Sequence, residues 1–220
     1  MIIVAIDEID FIKASNIIDK LDSKKCMIKI GSVSFNSIGF ELISYSANQG
    51  FDIFLDLKFH DIPNTVKKSI QGIISLPIKM ITIHTSGGKN MMIAAMEALS
   101  GTKIKAFGVT ALTSLTNEDT LNIFQRDTMQ HVNAMLDMAE AAAIDGVVCS
   151  PHELELVKKR DSLLSITPGI RLGKSDDDQK RVMTPKKAID LGADYIVIGR
   201  PITASDDISR SLNEIHSSIK

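Results

Sequence analysis

A chain of 220 residues that is 44% hydrophobic and 24% charged has the make-up of an ordinary globular protein with one sizeable core, not of a disordered or fibrous one. Its formal net charge of −2 and pI near 6.2 give no electrostatic footprint for nucleic acid, and its mean hydropathy of +0.10 hides no apolar run as long as a membrane span. The opening MIIVAIDEID has no basic segment and meets its first acid at Asp7, so it reads as neither signal peptide nor anchor.

In chain order, short apolar, mostly β-branched runs recur: IIVAI (2–6), CMIKI (26–30), DIFLDL (52–57), KMITI (79–83), KIKAFGV (103–109), GVVC (146–149), LLSIT (163–167) and DYIVIG (194–199). Between them lie stretches with helical apolar spacing, among them FNSIGFELISYSANQ (35–49), PNTVKKSIQGII (63–74), NMMIAAMEAL (90–99) and VNAMLDMAEAAA (132–143). Alternation of this kind predicts parallel βαβ units, and eight of them fit a single-domain (β/α)8 TIM barrel better than an open sheet. No linker or change of composition divides residues 1–220, so one domain is expected. Cys26 and Cys149 sit far apart in two of the apolar runs, which predicts buried free thiols and a reducing, cytoplasmic setting. The polar run LGKSDDDQKRV (172–182), just after the seventh strand, is a candidate lid.

Strand parity locates the chemistry, because successive side chains of a barrel strand point alternately at the helices and at the axis. With Ile2, Val4 and Ile6 outward, Asp7 falls on the inner parity; with Ile28 and Ile30 outward, Lys29 does. The third strand turns Ile53, Leu55 and Leu57 outward and Asp56 and Lys58 inward. Four polar or charged side chains are thus expected at the C-terminal mouth, where such barrels place their active sites.

Asp56 and Lys58 belong to the run FLDLKFHDIPNTV (54–66), whose D-x-K-x-x-D-I-P-x-T pattern is complete in Asp56, Lys58, Asp61, Ile62, Pro63 and Thr65. This run resembles the active-site signature of the orotidine 5′-monophosphate decarboxylase family. The likeness extends along the chain as islands in the family's order: IIVAID, MIKIG, HTSGG, FGVTALTS, TPGIR, DDQ and DYIVIGRPIT. It implies a lyase that needs no cofactor or metal and makes UMP, with Lys58 as proton donor beside Asp56, Asp61 and Lys29. It further implies that Asp7 and Lys29 hold the ribose, Thr113 the pyrimidine, and Gln179, Gly199 and Arg200 the phosphate, with Arg171 in support. Asp61 and Thr65 resemble residues that reach into the partner's site, so a homodimer is implied. Neighbouring Ser114 offers a hydroxyl similar to that of Thr113, and the choice between them stays open.

The physical reading runs beside the resemblance. An alternating row Lys29, Asp56, Lys58, Asp61 offers preorganised charge for a reaction that leaves a carbanion without a conjugated electron sink. VIGRP, at the end of the eighth strand, can bring backbone N–H groups and the Arg200 guanidinium to a phosphate. More ordinary roles compete: Asp56 and Lys58 as a barrel ion pair, Asp61 as a loop acid near the helix begun by Pro63, His84 as a packed histidine, His60 turned away from Lys58. The histidines show no metal-ligand spacing, no CxxC occurs, and SGGK (86–89) is no P-loop. Two other functions share part of the pattern: related metal-dependent sugar-phosphate decarboxylases and synthases, in which the motif runs on toward Ala-Gly, and a catalytically silent nucleotide-binding protein.

Overall fold

A computed structural model describes residues 1–171 and 183–220, so Gln179 and the lid expectation over 172–182 lie outside the described residues. Among the described residues are eight strands: β1 (Ile2–Ile6), β2 (Cys26–Gly31), β3 (Ile53–Phe59), β4 (Met80–His84), β5 (Lys105–Val109), β6 (Gly146–Val148), β7 (Leu164–Thr167) and β8 (Tyr195–Ile198). Between and after them run α1 (Phe11–Ile18), α2 (Ser32–Ile38), α3 (Phe40–Asn48), α4 (Pro63–Gln71), α5 (Lys89–Leu99), α6 (Asn117–Phe124), α7 (Thr128–Ala141), α8 (Leu154–Val157), α9 (Pro185–Asp190), α10 (Arg200–Thr203) and α11 (Ile208–Ser218). Each strand pairs in parallel with the next, and β8 returns to β1 with Ile2 opposite Ile196, closing a (β/α)8 barrel.

The strands are rich in isoleucine and valine because both of their faces are buried, which removes the polar half of the usual alternation. Ile2, Val4, Ile6, Ile28, Ile30, Ile53 and Leu55 pack outward beneath the helices. Ile3, Met27, Phe54, Met80, Phe107, Ile166 and Val197 fill the interior, where Phe54 and Phe107 meet edge-on with ring centroids 6.5 Å apart. That plug makes the barrel a packed core and leaves a cavity at its C-terminal mouth.

Helix starts follow local chemistry. Asp10, Thr116, Asp127, Thr184 and Asp207 each accept the backbone N–H three residues on, and Pro63 and Pro185 occupy first turns where no N–H is needed. The helical stretch expected over 35–49 is two helices, because Gly39 takes φ 74°, which side chains other than glycine seldom adopt. Cys26 and Cys149 are both free and buried; burial foremost, with Asp22 adding, pushes the Cys26 thiol up to about 12. Among the described residues no helix is long and apolar enough to cross a membrane.

Candidate active site

The strand register delivers the charged residues to one place. Lys29 on β2 pairs with Ala5 of β1 on one side and Phe54 of β3 on the other, so its side chain rises beside the end of β1 and the inner face of β3. Its Nζ lies 3.4 Å from Asp7 Oδ1 and 3.5 Å from Asp56 Oδ2. Lys58 Nζ lies 2.9 Å from both oxygens of Asp56. The Asp56 carboxylate is therefore held between two ammonium groups, with Asp7 at the outer end of the row.

Asp56 is only 8% exposed. Burial on its own would raise its carboxyl, but Lys29, Lys58 and hydrogen bonds from Lys58 and Thr82 outweigh it and hold the group below the ordinary carboxylate value. Thr82, fully buried on β4, donates its hydroxyl to Asp56 Oδ1 at 2.9 Å and accepts the Lys58 backbone N–H at 2.8 Å. Nothing in the sequence analysis pointed to Thr82, although the inner parity of β4, shared by Met80, Thr82 and His84, was there to be read.

Lys58 itself sits at φ 52° where the β3–β4 register slips between Leu55 and Phe59. Left-handed backbone at a residue with a long side chain costs on the order of 1–3 kcal/mol and persists only where the surroundings impose it. Here the kink lets β3 run on to Phe59, two residues past the expected end, while Lys58 still points into the mouth. His84, at the end of β4, packs against His60 with ring centroids 5.0 Å apart, and burial first, then His60 and Lys58, lower its value against the opposing pull of Asp56.

A cavity of about 280 Å³ opens over this row. Of the site residues expected from the sequence it gathers Asp7, Lys29, Asp56, Lys58, Thr113, Arg171, Gly199 and Arg200 along its wall, and Ser114 is not among the lining residues. Its apolar side includes Ala5, Phe54, Val109, Val148, Ile166 and Val197. Arg171 is 9% exposed and is braced by its own N–H donation to the Ile170 carbonyl at 2.9 Å. A second cleft of about 510 Å³ adjoins the first, sharing Lys29, Lys58 and Arg200 and reaching Glu8 and Ser32. Gly31 borders it, and a Cβ there would stand 3.0 Å from Lys29 Nζ, so glycine keeps that ammonium free to lie against Asp7 and Asp56.

Asp61 and Thr65 do not join the row within this chain. The Asp61 carboxylate folds back to accept the Ile62 N–H at 2.6 Å, and neither residue lines the cavity. Within this chain the row has four members, Asp7, Lys29, Asp56 and Lys58, with Asp7 as its second carboxylate where Asp61 was expected. The loop that carries Asp61 is exposed, and Ile62 beside it is 67% exposed. Among the described residues no group of three His, Cys, Asp or Glu side chains is arranged to hold a metal ion.

Comparison with known proteins adds independent findings. Residues 1–215 match the family described as orotidine 5′-phosphate decarboxylase / HUMPS. The chain is 44% identical to the orotidine 5′-phosphate decarboxylase of Shewanella sediminis, covering 99% of this chain and 96% of that protein. It is 43% identical to the one from Ehrlichia canis, covering 99% and 97%. Among solved structures, the orotidine 5′-phosphate decarboxylase of Lactobacillus acidophilus superposes with a TM-score of 0.86 at 33% identity, covering 100% of this chain and 98% of that one.

Proposed function

The chain belongs to the orotidine 5′-phosphate decarboxylase / HUMPS family and is a carboxy-lyase of pyrimidine synthesis that converts orotidine 5′-monophosphate to UMP, and we propose that it does so with the Lys29, Asp56, Lys58 row as its charged machinery. The observation that carries this reading is the Lys58 ammonium, 2.9 Å from a buried carboxylate and lining a cavity that also holds Arg171 and Arg200.

The substrate brings two anionic groups. Its phosphate fits the end of β8, where Gly199 and Arg200 line the cavity together with Arg171; the family likeness assigns Gln179 to the same role. Its ribose hydroxyls fit Asp7 and Lys29, one an acceptor and the other a donor. Thr113 then faces the pyrimidine, against the apolar side of the cavity.

The scissile C–C bond breaks heterolytically. CO2 departs, the electron pair stays on the ring carbon, and Lys58 Nζ delivers the proton that takes the place of the carboxylate. No cofactor enters this scheme. Reactions of this kind ask for about 20 kcal/mol of differential stabilisation, so one contact is insufficient and fixed charge in a poorly solvated site has to supply much of it. Phe54, Val148, Ile166 and Val197 displace water from beneath the ring and thereby strengthen the pull of the Lys58 ammonium on the developing carbanion. Asp56 orients that ammonium, and it also repels the substrate carboxylate: two like charges about 4 Å apart interact by roughly 4 kcal/mol at an effective dielectric near 20.

The active form is a homodimer in which Asp61 and Thr65 complete the site of the partner subunit. The support lies in the Asp61 loop, which is exposed, carries an acid with no ion pair among the described residues, and presents Ile62 to water. A cytoplasmic location fits the two buried free thiols.

Lys58→Ala tests the scheme. Orotidylate consumption, followed by ultraviolet absorbance, falls by at least about 10⁴-fold while UMP binding weakens by no more than about tenfold, as for loss of a group that acts in the transition state. Activity of Lys58→Ala within about tenfold of the native enzyme removes Lys58 as proton donor.

A further inference from the structure

Lys58 and Asp56 are linked a second time, away from the cavity, through a side chain that does not line it. The Thr82 hydroxyl donates to Asp56 Oδ1 and accepts from the Lys58 backbone N–H, so one oxygen ties the carboxylate to the main chain of the residue that the carboxylate orients. The direction of both bonds is forced. An ionised carboxylate only accepts and a backbone N–H only donates, so the hydroxyl between them gives its proton to Asp56 and receives from Lys58.

The placement is rigid. Thr82 is fully buried, its Cα lies opposite Phe107 in the β4–β5 ladder, and a β-branched side chain has few rotamers in a strand. It also sits where the chain needs a substitute partner: the β3–β4 register slips between Leu55 and Phe59, and Lys58 stands in that gap at φ 52°. An N–H turned out of a regular ladder and buried must be satisfied by another acceptor, and the Thr82 oxygen is that acceptor.

We propose that Thr82 is a positioning residue for decarboxylation: its hydroxyl holds the Lys58 backbone in the left-handed kink and the Asp56 carboxylate in one rotamer, and so fixes the ammonium over the ring carbon that loses CO2. The proposal rests on Lys58 and Asp56 acting as described above. Thr82 is buried and does not line the cavity, so its removal acts on the chemical step and not on nucleotide binding.

Two substitutions separate this role from packing. Thr82→Val keeps the shape and loses the hydroxyl; Thr82→Ser keeps the hydroxyl and loses the methyl group. For Thr82→Val, kcat falls by about 10- to 100-fold, the range expected when a reacting group is misplaced by up to about 1 Å. KM and the UMP dissociation constant stay within about threefold of native, because the phosphate and ribose contacts are untouched. Thr82→Ser keeps kcat within about threefold, although it leaves a small void in the core. If the valine variant does not fold, Thr82→Ala takes its place, differing from Thr82→Ser by the oxygen alone.

A kcat for Thr82→Val within about threefold of native, or a serine variant as impaired as the one without hydroxyl, overturns the proposal. Lys58→Ala run in the same assay tells the two failures apart. If it is inactive while Thr82→Val is normal, only the positioning role falls; if it is active, the function assigned to the charged row falls first and this inference with it.

Discussion

Asp56→Asn is the most informative single change, since it preserves shape while removing the charge that two lysines share. In the native chain that carboxylate meets Lys58 Nζ at 2.9 Å through each oxygen, Lys29 Nζ at 3.5 Å and the Thr82 hydroxyl at 2.9 Å. The amide keeps one accepting oxygen, places an N–H₂ donor against an ammonium, and leaves Lys58 without its carboxylate while Lys29 keeps only Asp7. Breaking a buried ion pair by removal of one partner costs about 3–5 kcal/mol, and the lower end applies because the Lys58 side chain is 37% exposed. For a domain of this size about 3 kcal/mol corresponds to a melting point lower by about 6–12 °C. The carboxyl is held below its ordinary value in the native state, so its contribution to stability is full above the unfolded value of 3.8 and is lost as pH falls through the lower native one. The difference in melting point between native and Asp56→Asn proteins therefore narrows as the pH is taken below about 4.

The kinetic part of the same experiment divides the two roles of Asp56. Loss of Lys58 orientation lowers kcat by about 10³-fold or more. If repulsion of the substrate carboxylate contributes about 4 kcal/mol, binding of orotidine 5′-monophosphate relative to UMP tightens by up to about 10³-fold in the variant. UMP is the reference because it lacks the carboxylate, so losses common to both ligands cancel in the ratio. Isothermal titration of both nucleotides with the inactive variant gives that ratio directly. An unchanged ratio with kcat abolished leaves orientation of Lys58 as the whole effect of Asp56; a kcat within about tenfold of native refutes the reasoning from the charged row altogether.

Mixing Lys58→Ala and Asp61→Ala subunits, each inactive alone, restores up to about one quarter of native activity when dimers re-form at random, since half of them are mixed and each mixed dimer holds one site with both native residues; mixed dimers verified by mass that show no recovery make each site self-contained. For His84, burial above all, then His60 and Lys58, holds the ring below the ordinary 6.5, so the native protein binds its proton less readily than the unfolded chain does. Its contribution to stability is complete above about 6.5 and lost as pH falls through the lower native value, so His84→Asn flattens the decline of melting temperature as pH falls below about 6.5, and parallel curves for the two proteins refute this assignment.

Much of the barrel was legible because a strand buried on both faces writes itself as an unbroken β-branched run; IIVAI, CMIKI and LLSIT need no tertiary information to be found. Parity then told Asp56 from Leu57 and Lys29 from Ile28, since a shift of one residue exchanges core for cavity. What stayed hidden depends on contacts between strands. The kink at Lys58 arises from a register slip against β4, and a lysine carries no local signal for left-handed backbone. Thr82 looks like any β-branched strand residue until β3 is laid beside it. The break at Gly39 was local and readable, yet helical spacing on both sides of it masked it. Asp61 shows a different limit: its place in the signature groups it with Lys58, whereas its backbone sends the carboxylate to the Ile62 N–H.

The division between Asp56 and Asp61 bears on how the site is assembled. Asp7, Lys29, Asp56 and Lys58 are already in contact, and Asp56 is satisfied by three neighbours with no substrate present, so the order of these groups is fixed during folding and is not drawn from the binding energy of the nucleotide. With two acids and two ammonium groups the row is neutral, and it tolerates burial because each charge has an opposite neighbour. Incoming phosphate and carboxylate tip that balance toward negative, and the chain as a whole, at a net charge of −2, offers no diffuse positive field to compensate. Compensation has to be local, and Arg171, Arg200 and Lys58 line the same cavity. In the proposed dimer, a further carboxylate from the partner's Asp61 beside Lys58 would make the row more negative still, which would disfavour the bound carboxylate and leave the carbanion, whose charge the Lys58 proton cancels, as the state that fits.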